Sequence, residues 1–240
     1  MTMISDNLQQ VRTRIRAACL HSARAESSVA LLAVSKTFGA DAVQAAFDAG
    51  QAAFGENYIQ EAVEKIAALR HLPITWHCIG PVQSNKTRLV AENFDWVHSV
   101  DRLKTAQRLS EQRPAHLAPL QVCIQVNVDG GANKSGVSAD EAPALAEAVA
   151  RLPRLTLRGL MCIPEFAPDL EAQTLLFSRA RGIFDQINAK KLTISPEINP
   201  QVNYLTLDTL SMGMTADLEA AIQSGSTMVR VGTAIFGARA

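Results

Sequence analysis

The sequence lacks the features that would place the protein on nucleic acid or in a membrane. Its 23 acidic and 23 basic residues cancel, so no net positive charge attracts phosphate backbones or anionic lipid. The polar start, Met1–Leu8, has no uninterrupted apolar core of the signal-peptide kind, and no later apolar run is long enough to span a bilayer. These absences predict a cytoplasmic protein.

Cysteine is also scarce, and its spacing does not match the usual metal or disulfide patterns. The four cysteines, Cys19, Cys78, Cys123 and Cys162, are far apart in sequence, and none belongs to a C-x-x-C pair. Three of them fall inside predicted strands, where a thiol packs as a small apolar side chain. We therefore expect reduced core thiols and no metal site.

Apolar periodicity divides the chain into eight predicted strands, each followed by a helix, after an amphipathic helix over residues 5–23. Strict alternation implies a parallel sheet with right-handed crossovers, and eight units predict an α/β fold, a (β/α)8 TIM-type barrel with an additional N-terminal helix. No linker marks a second domain, so residues 1–240 are predicted to form one domain. The predicted strands are Val29–Val34, Ala52–Asn57, Ile74–Ile79, Trp96–Val100, Leu120–Val128, Leu155–Ile163, Tyr204–Leu210 and Thr227–Val231.

A doubly wound open sheet is the structural alternative. Such a sheet more often carries a glycine-rich phosphate turn after its first strand, whereas here that place holds Lys36-Thr-Phe-Gly39. The missing turn favours the barrel. The connection Lys190–Val202 has no pattern that assigns its structure.

Lys36 follows the first predicted strand, at the carboxyl end where α/β proteins place their chemistry. Apolar surroundings lower the pKa of a lysine, and a neutral amine attacks carbonyl groups to form Schiff bases. The alternative is a solvated lysine that caps a strand. Position alone favours that alternative, so the rest of the chain must decide.

The loops after strands seven and eight carry the residues of a phosphate site. Gly232 allows close approach of the backbone, Thr233 offers a hydroxyl and an N–H group, and the short helix after it presents further N–H groups. Ser211 and Gly213 follow strand seven in a similar arrangement. Barrels often bind phosphate with these two loops, so the match at both favours a phosphate site over ordinary turns.

A phosphate site opposite such a lysine allows two chemistries. One is a class I aldolase-type enzyme with a phosphorylated substrate, and the other is binding of pyridoxal 5′-phosphate. Arg230 lies on the same strand face as Gly232, where it is placed either to meet a pyridine nitrogen or to form a buried ion pair with Glu56. Spacing alone leaves these readings open.

Seven segments, in one order along nearly the whole chain, carry a family resemblance. They are Ala33–Lys36, Phe54–Tyr58, Trp76–Lys86, Asn133–Gly136, Arg158–Met161, Leu210–Met214 and Met228–Gly237. Together they resemble the pyridoxal phosphate homeostasis protein family, the single-domain group related to the N-terminal barrel of alanine racemase. The resemblance implies a (β/α)8 barrel of that type, with pyridoxal 5′-phosphate bound to Lys36 as an internal aldimine.

The same motifs imply roles for the other candidate residues. Ser211, Gly232 and Thr233 would hold the phosphate group. Arg230 would face the pyridine nitrogen, and Asn57 would lie beside the cofactor.

Two further residues, His77 and Met161, would line the pocket by the same resemblance. One segment departs from the family pattern: Thr215 and Ala216 stand where the family usually has serine and then an acidic or amide residue. Thr215 keeps a hydroxyl group, whereas Ala216 has no polar side chain. The departure concerns only the detail of the strand-seven loop.

An arginine opposite the pyridine nitrogen predicts binding without efficient catalysis. Two adjacent positive charges disfavour protonation of the ring, which weakens it as an electron sink. Related racemases also take an acid–base residue from a C-terminal domain, which a sequence ending at Ala240 is expected to lack.

We therefore predict a non-catalytic, monomeric protein of intracellular pyridoxal phosphate homeostasis. It would reserve the cofactor or deliver it to pyridoxal phosphate-dependent apoenzymes. A low-activity amino-acid racemase and a phosphosugar Schiff-base enzyme are the alternatives.

Overall fold

Eight parallel strands close into a barrel in the computed structural model, which describes residues 3–131, 134–165, 167–191, 193 and 204–238. The barrel strands are β1 (Ala30–Val34), β2 (Ala53–Glu56), β3 (Thr75–Cys78), β4 (Trp96–Val100), β5 (Leu120–Asn127), β7 (Leu155–Met161), β8 (Thr209–Ser211) and β9 (Met228–Val231). A two-residue strand, β6 (Val137–Ser138), pairs with β5 outside the ring. Pairing of β1 with β9 and of β4 with β5 closes the ring, which confirms the predicted barrel.

Helices surround the barrel because each of them buries one apolar face. In α1, the buried residues Leu8, Val11 and Ile15 recur at helical spacing. The helices are α1 (Met3–His21), α2 (Ala40–Asp48), α3 (Ile59–Ala68), α4 (Thr87–Asn93), α5 (Leu103–Gln112), α6 (Ala142–Ala150), α7 (Leu170–Ala189), α8 (Leu218–Gln223) and α9 (Thr233–Phe236). Most of the connection Lys190–Val202 lies outside the described residues.

The seventh predicted strand, Tyr204–Leu210, is wrong in its placement, because β8 covers Thr209–Ser211. Leu205 and Leu207 are buried in the alternating manner of a strand. The backbone of Leu207, however, bonds to the side chain of Asn188 on α7, with its N–H at 2.7 Å from Oδ1 and its carbonyl oxygen at 3.0 Å from Nδ2. The N–H of the next residue, Asp208, donates to the carbonyl oxygen of Arg158 in β7 at 2.8 Å, so the segment meets β7 just before β8 begins.

Close approach of two barrel strands requires a glycine in β7. A Cβ atom at Gly159 would lie 1.6 Å from the carbonyl oxygen of Thr209 in β8, which no side chain can accommodate. This contact brings the end of β8, with Ser211, close to the end of β7, with Met161. The glycine thus helps to set the geometry of the barrel end at which β7 and β8 finish.

The four cysteines are free and buried, as predicted. Burial raises the pKa of Cys78, Cys123 and Cys162 to about 12, so these thiols stay protonated. Within the described ranges, no three His, Cys, Asp or Glu side chains are grouped in a way that would hold a metal ion. None of the helices in those ranges has the length and apolar character needed to cross a membrane.

Candidate functional site

A pocket of about 310 Å³ lies where β1, β2 and β9 end, at the carboxyl face of the barrel. Five of the eight residues predicted for the site line it: Lys36, Asn57, Arg230, Gly232 and Thr233. The remaining lining residues are Val34, Phe38, Ile79, Ile163, Met214, Thr215, Ala216 and Gly237. The pocket thus joins an amine, a guanidinium group, an amide and two hydroxyl groups with an apolar wall.

Carboxylates bind the residues on both sides of Lys36. Ser35 donates its hydroxyl hydrogen to Oε1 of Glu56 at 2.6 Å, and the N–H of Thr37 donates to Oε1 of Glu61 at 2.9 Å. Thr37 has a φ of +70°, a left-handed conformation that is strained for a β-branched residue. Lys36 itself is half-buried in the pocket wall.

A buried lysine on α3 completes this support. Nζ of Lys65 lies 2.9 Å from the carbonyl oxygen of Ser35, 2.8 Å from Glu56 Oε1 and 2.6 Å from Glu61 Oε1. Burial raises the pKa of Glu56, and the hydrogen bonds from Lys65 and Ser35 oppose that shift. Glu56 therefore forms its buried ion pair with Lys65, and the alternative pairing with Arg230 is not found.

Arg230 is held differently, by neutral oxygen atoms. Its Nη1 donates to the carbonyl oxygen of Ser211 at 2.6 Å and to Ser211 Oγ at 2.8 Å, and its Nη2 donates to the carbonyl oxygen of Cys162 at 2.9 Å. The side chain is buried, and within the described ranges no carboxylate lies within ion-pair distance of it. Burial lowers the pKa of the guanidinium group. An interior positive charge without an acidic partner is costly and typical of functional positions.

The other polar groups of the pocket are suited to bind a ligand. Oδ1 of Asn57 is buried and has no hydrogen-bond partner among the described residues. A Cβ atom at Gly232 would lie 3.0 Å from the carbonyl oxygen of Val34, so the absence of a side chain keeps this corner open. In α9 the N–H groups of Ile235 and Phe236 bond to the carbonyl oxygen of Gly232, whereas those of Thr233 and Ala234 have no partner within the helix and are available to an anion.

Thr215 also lines the pocket, on the loop between β8 and α8. Two contacts hold this loop: Met214 N–H donates to Asp217 Oδ1 at 2.5 Å, and Arg14 Nη2 donates to the carbonyl oxygen of Thr215 at 3.0 Å. Thr215 departs from the family pattern but keeps a hydroxyl group. Its position in the pocket makes it a candidate site residue.

Three predicted site residues, His77, Met161 and Ser211, are buried and are not part of the pocket lining. Nδ1 of His77 lies 2.9 Å from Nε2 of His98, and Nδ1 of His98 lies 2.9 Å from Ser211 Oγ. Ser211 thus contacts Arg230, and the phosphate contact that the resemblance implies for it stays a prediction.

Sequence reasoning missed the apolar part of the pocket. Phe38, which stacks on Phe236 at 5.2 Å between ring centroids, lines one side, and Ile163 and Met214 line another. Phe38 lies only two residues after Lys36, and Met214 ends the Leu210–Met214 motif. Both positions therefore carried a signal, namely their closeness to predicted site residues.

Comparisons with known proteins show the family. The family model "Alanine racemase, N-terminal domain" matches residues 6–240. A pyridoxal phosphate homeostasis protein of Pseudomonas aeruginosa is 56% identical, over 100% of this chain and 97% of that protein. One from Escherichia coli is 52% identical, over 100% of this chain and 98% of that protein.

Solved structures are similar to this chain in fold. PipY of Synechococcus elongatus with pyridoxal phosphate bound is 35% identical with a TM-score of 0.81, covering 98% of this chain and 100% of that one. Alanine racemase of Clostridium difficile is 15% identical with a TM-score of 0.71, covering 97% of this chain and 57% of that one. The racemase likeness shows a shared fold alone.

Proposed function

The chain belongs to the pyridoxal phosphate homeostasis protein family, and from this membership we propose that it binds pyridoxal 5′-phosphate and takes part in its homeostasis. The observation that carries the proposal is the convergence of Lys36, Asn57, Arg230 and Thr233 on one pocket at the carboxyl ends of the barrel strands. An amine for the aldehyde and N–H groups for the phosphate then lie around a single ligand.

The residues present fit this cofactor. The pocket volume of about 310 Å³ is at the lower end of the range for small-ligand sites. Asn57 Oδ1, buried without a protein partner among the described residues, is an acceptor for a ligand hydroxyl. The open corner at Gly232 accommodates a group that approaches the backbone closely, as a phosphate does.

Each residue of the pocket then has a proposed task. When bound, the cofactor supplies an aldehyde that condenses with an amine and an aromatic ring that accepts charge. We propose that Lys36 holds it covalently through Nζ, with its backbone fixed by Glu56, Glu61 and Lys65. Gly232, Thr233 and the hydroxyl of Thr215 would bind the phosphate.

Three of the predicted site residues are buried and do not line the pocket. Ser211 would support Arg230, His77 would support Ser211 through His98, and Met161 would fill the barrel interior. Arg230 would face the ring nitrogen, where its charge disfavours protonation.

The same pocket supports a holding role over turnover. In the described part of the lining, the basic side chains are those of Lys36 and Arg230, and the lining there contains no Asp, Glu, His, Cys or Tyr. Racemisation needs acid–base groups on both faces of a substrate. We therefore propose that the protein reserves or delivers the cofactor. Delivery to apoenzymes and the monomeric state stay predictions of the sequence.

Borohydride reduction followed by peptide mass spectrometry tests the proposal. Wild-type protein mixed with pyridoxal phosphate is expected to carry the added mass on the peptide that contains Lys36, and Lys36→Ala is expected to lose it. The matched control is Lys190→Ala, an exposed lysine at the end of α7, which keeps the adduct. A wild-type protein that takes up no pyridoxal phosphate would refute the proposal.

Deuterium exchange tests the non-catalytic part separately. The loaded protein is incubated with alanine deuterated at Cα, and loss of the label is followed by mass spectrometry. Exchange at about 1 s⁻¹ or faster, within the range of ordinary enzymes, would favour the racemase alternative. Exchange far below that rate supports the holding role.

A further inference from the structure

A chain of three hydrogen bonds runs through the barrel interior and ends at Arg230. Arg230 Nη1 lies 2.8 Å from Ser211 Oγ, Ser211 Oγ lies 2.9 Å from His98 Nδ1, and His98 Nε2 lies 2.9 Å from His77 Nδ1. His98 and Ser211 are completely buried. Segments from β3, β4, β8 and β9 meet in this chain, and His77 stacks on Trp96 at 5.1 Å between ring centroids.

The direction of the protons in the chain follows from the donor inventory. An arginine side chain only donates, so Ser211 Oγ accepts from Arg230. Within the described ranges, His98 Nδ1 is the acceptor in reach of the single Ser211 hydroxyl hydrogen, and leaving that hydrogen unpaired would be costly. His98 then carries its proton on Nε2 and donates it to Nδ1 of His77. The bonds therefore all point away from Arg230.

The two histidines in this series of hydrogen bonds, His77 and His98, are neutral. Burial lowers the pKa of His77 to about 3. Burial, and then the neighbouring His77 and Arg230, lower the pKa of His98 well below its usual value. The chain thus adds neither a second positive charge nor a carboxylate next to Arg230.

We propose that Ser211, His98 and His77 are positioning residues that hold Arg230 by a one-directional series of hydrogen bonds between neutral groups, so that its positive charge faces the pocket. The inference rests on the proposed function, in which the pocket binds pyridoxal phosphate.

The donors of Arg230 agree with this arrangement. The contacts among the described residues use both N–H groups of Nη1 and one of Nη2, which leaves one Nη2 hydrogen and the Nε hydrogen for a ligand. A carboxylate in place of Ser211 would compensate the charge and weaken its effect on the ring. Neutral acceptors satisfy the guanidinium group and leave its net charge intact.

Nitrogen-15 NMR of the full-length protein at pH 7, without cofactor, tests this series of hydrogen bonds directly. The wild type is expected to show His77 and His98 both neutral and both protonated on Nε2. A protonated imidazolium, or a proton on Nδ1 of His98, would overturn the inference. This readout does not depend on cofactor binding, so it stands even if the proposed function fails.

Variants test the link to Arg230. Ser211→Ala removes the central hydroxyl. The matched control Ser226→Ala removes an equally buried hydroxyl, whose partners among the described residues are the carbonyl oxygens of Leu210, Met212 and Met228. His98→Leu breaks the chain, and His98→Gln restores an acceptor and a donor. Circular dichroism checks that each variant is folded. If Ser211→Ala does not fold, the NMR result on the wild type tests the inference.

The binding readout compares pyridoxal phosphate with an analogue whose ring nitrogen is replaced by a C–H group. Because a hydrogen bond from a charged donor is lost, the wild type and Ser226→Ala are expected to bind the analogue at least about tenfold more weakly. In Ser211→Ala and His98→Leu that preference should fall to about threefold or less, and His98→Gln should regain it.

The outcomes separate the two proposals. If the wild type binds neither compound, the proposed function fails. If it binds both and Ser211→Ala keeps the full preference for pyridoxal phosphate, the positioning role fails while the proposed function stands.

Discussion

Two buried cations lie near the pocket, and their charges are held in opposite ways. Lys65 contacts two carboxylates, those of Glu56 and Glu61, whereas Arg230 contacts three neutral oxygen atoms. The first arrangement compensates the charge of the lysine and fixes the backbone near Lys36. The second leaves a positive potential at the pocket, because hydroxyl and carbonyl groups satisfy N–H donors without neutralising them.

Thr37 is the strained residue next to the candidate tether. Its φ of +70° is one that glycine adopts freely, and its side chain is exposed, so Thr37→Gly removes strain and little packing. We expect the free energy of unfolding to rise by about 0.5–1 kcal/mol, measured by urea denaturation. Ala23→Gly, at a φ of +50° without a β-branch, is the control and should gain less. A clear loss of stability in Thr37→Gly would contradict the strain argument.

The burial of His77 predicts a dependence of stability on pH. The folded pKa of about 3 lies below the ordinary histidine pKa of 6.5, so only the unfolded chain takes up this proton as the pH falls between those values. Stability due to neutral His77 is therefore complete above pH 6.5 and is lost as the pH falls toward 3.

His77→Gln removes that proton from both states. Below about pH 6, the free energy of unfolding of the wild type should fall by about 1.4 kcal/mol per pH unit more steeply than that of the variant. Urea denaturation at a series of pH values measures the slopes. His71→Gln, at an exposed position, is the control. Equal slopes for wild type and His77→Gln would refute the assignment.

At the scale of elements, α3, the helix that follows β2, supports the end of β1. Lys65 on α3 reaches Ser35, after β1, and Glu56, at the end of β2. Two adjacent parallel strands and one helix thus converge behind Lys36. This arrangement fixes the backbone of Ser35, next to Lys36, at the carboxyl end of the barrel.

Removing the cation of this cluster should be strongly destabilising. The side chains of Lys65 and Glu56 are 6% and 0% exposed, so Lys65→Met leaves a buried carboxylate unpaired and should cost about 3–5 kcal/mol in free energy of unfolding. The double variant Glu56→Gln with Lys65→Met should recover much of that loss, because no charge is then buried at Glu56. A double-mutant cycle in urea measures the coupling. Additive effects of the two changes would show that the pair is not coupled.

At the scale of the whole molecule, the first helix is joined to the last part of the chain. Asn7 Nδ2 donates to the carbonyl oxygen of Ile235 at 2.9 Å, and Arg14 contacts both oxygens of Glu219 at 2.9 Å as well as the carbonyl oxygen of Thr215. The additional helix α1 thus braces α9 and the loop after β8, which both border the pocket.

Arg14→Lys tests that brace. Lysine lacks the planar fork that binds Glu219 and Thr215 together, so affinity for pyridoxal phosphate should fall by about two- to threefold. Because the pair is more than a third exposed, the free energy of unfolding should change by less than about 0.5 kcal/mol. The control is Arg16→Lys, since Arg16 pairs with Glu26 in a more exposed ion pair. Equal affinities of the two variants would contradict the bracing role.

Prediction from sequence succeeded for the barrel and was least accurate where a helix side chain, instead of a strand, binds the backbone of an alternating apolar segment. Seven of the eight predicted strands overlap barrel strands over most of their length, because apolar runs and turn residues are local signals. Tyr204–Leu210 has the same apolar alternation, yet Leu207 bonds to Asn188 on α7. No local pattern distinguishes a helix side chain from a strand as the partner.

The sequence by itself determined the alternation of strands and helices, the lysine after the first strand and the glycine after the last. These depend on residue type and spacing along the chain. Only the tertiary structure decided that Ser211 bonds to Arg230 and to His98, which is 113 residues away, and that Glu56 pairs with Lys65. Closure of the barrel decides which inward side chains meet, and their hydrogen-bonding groups then decide whether each charge is cancelled or left facing the pocket.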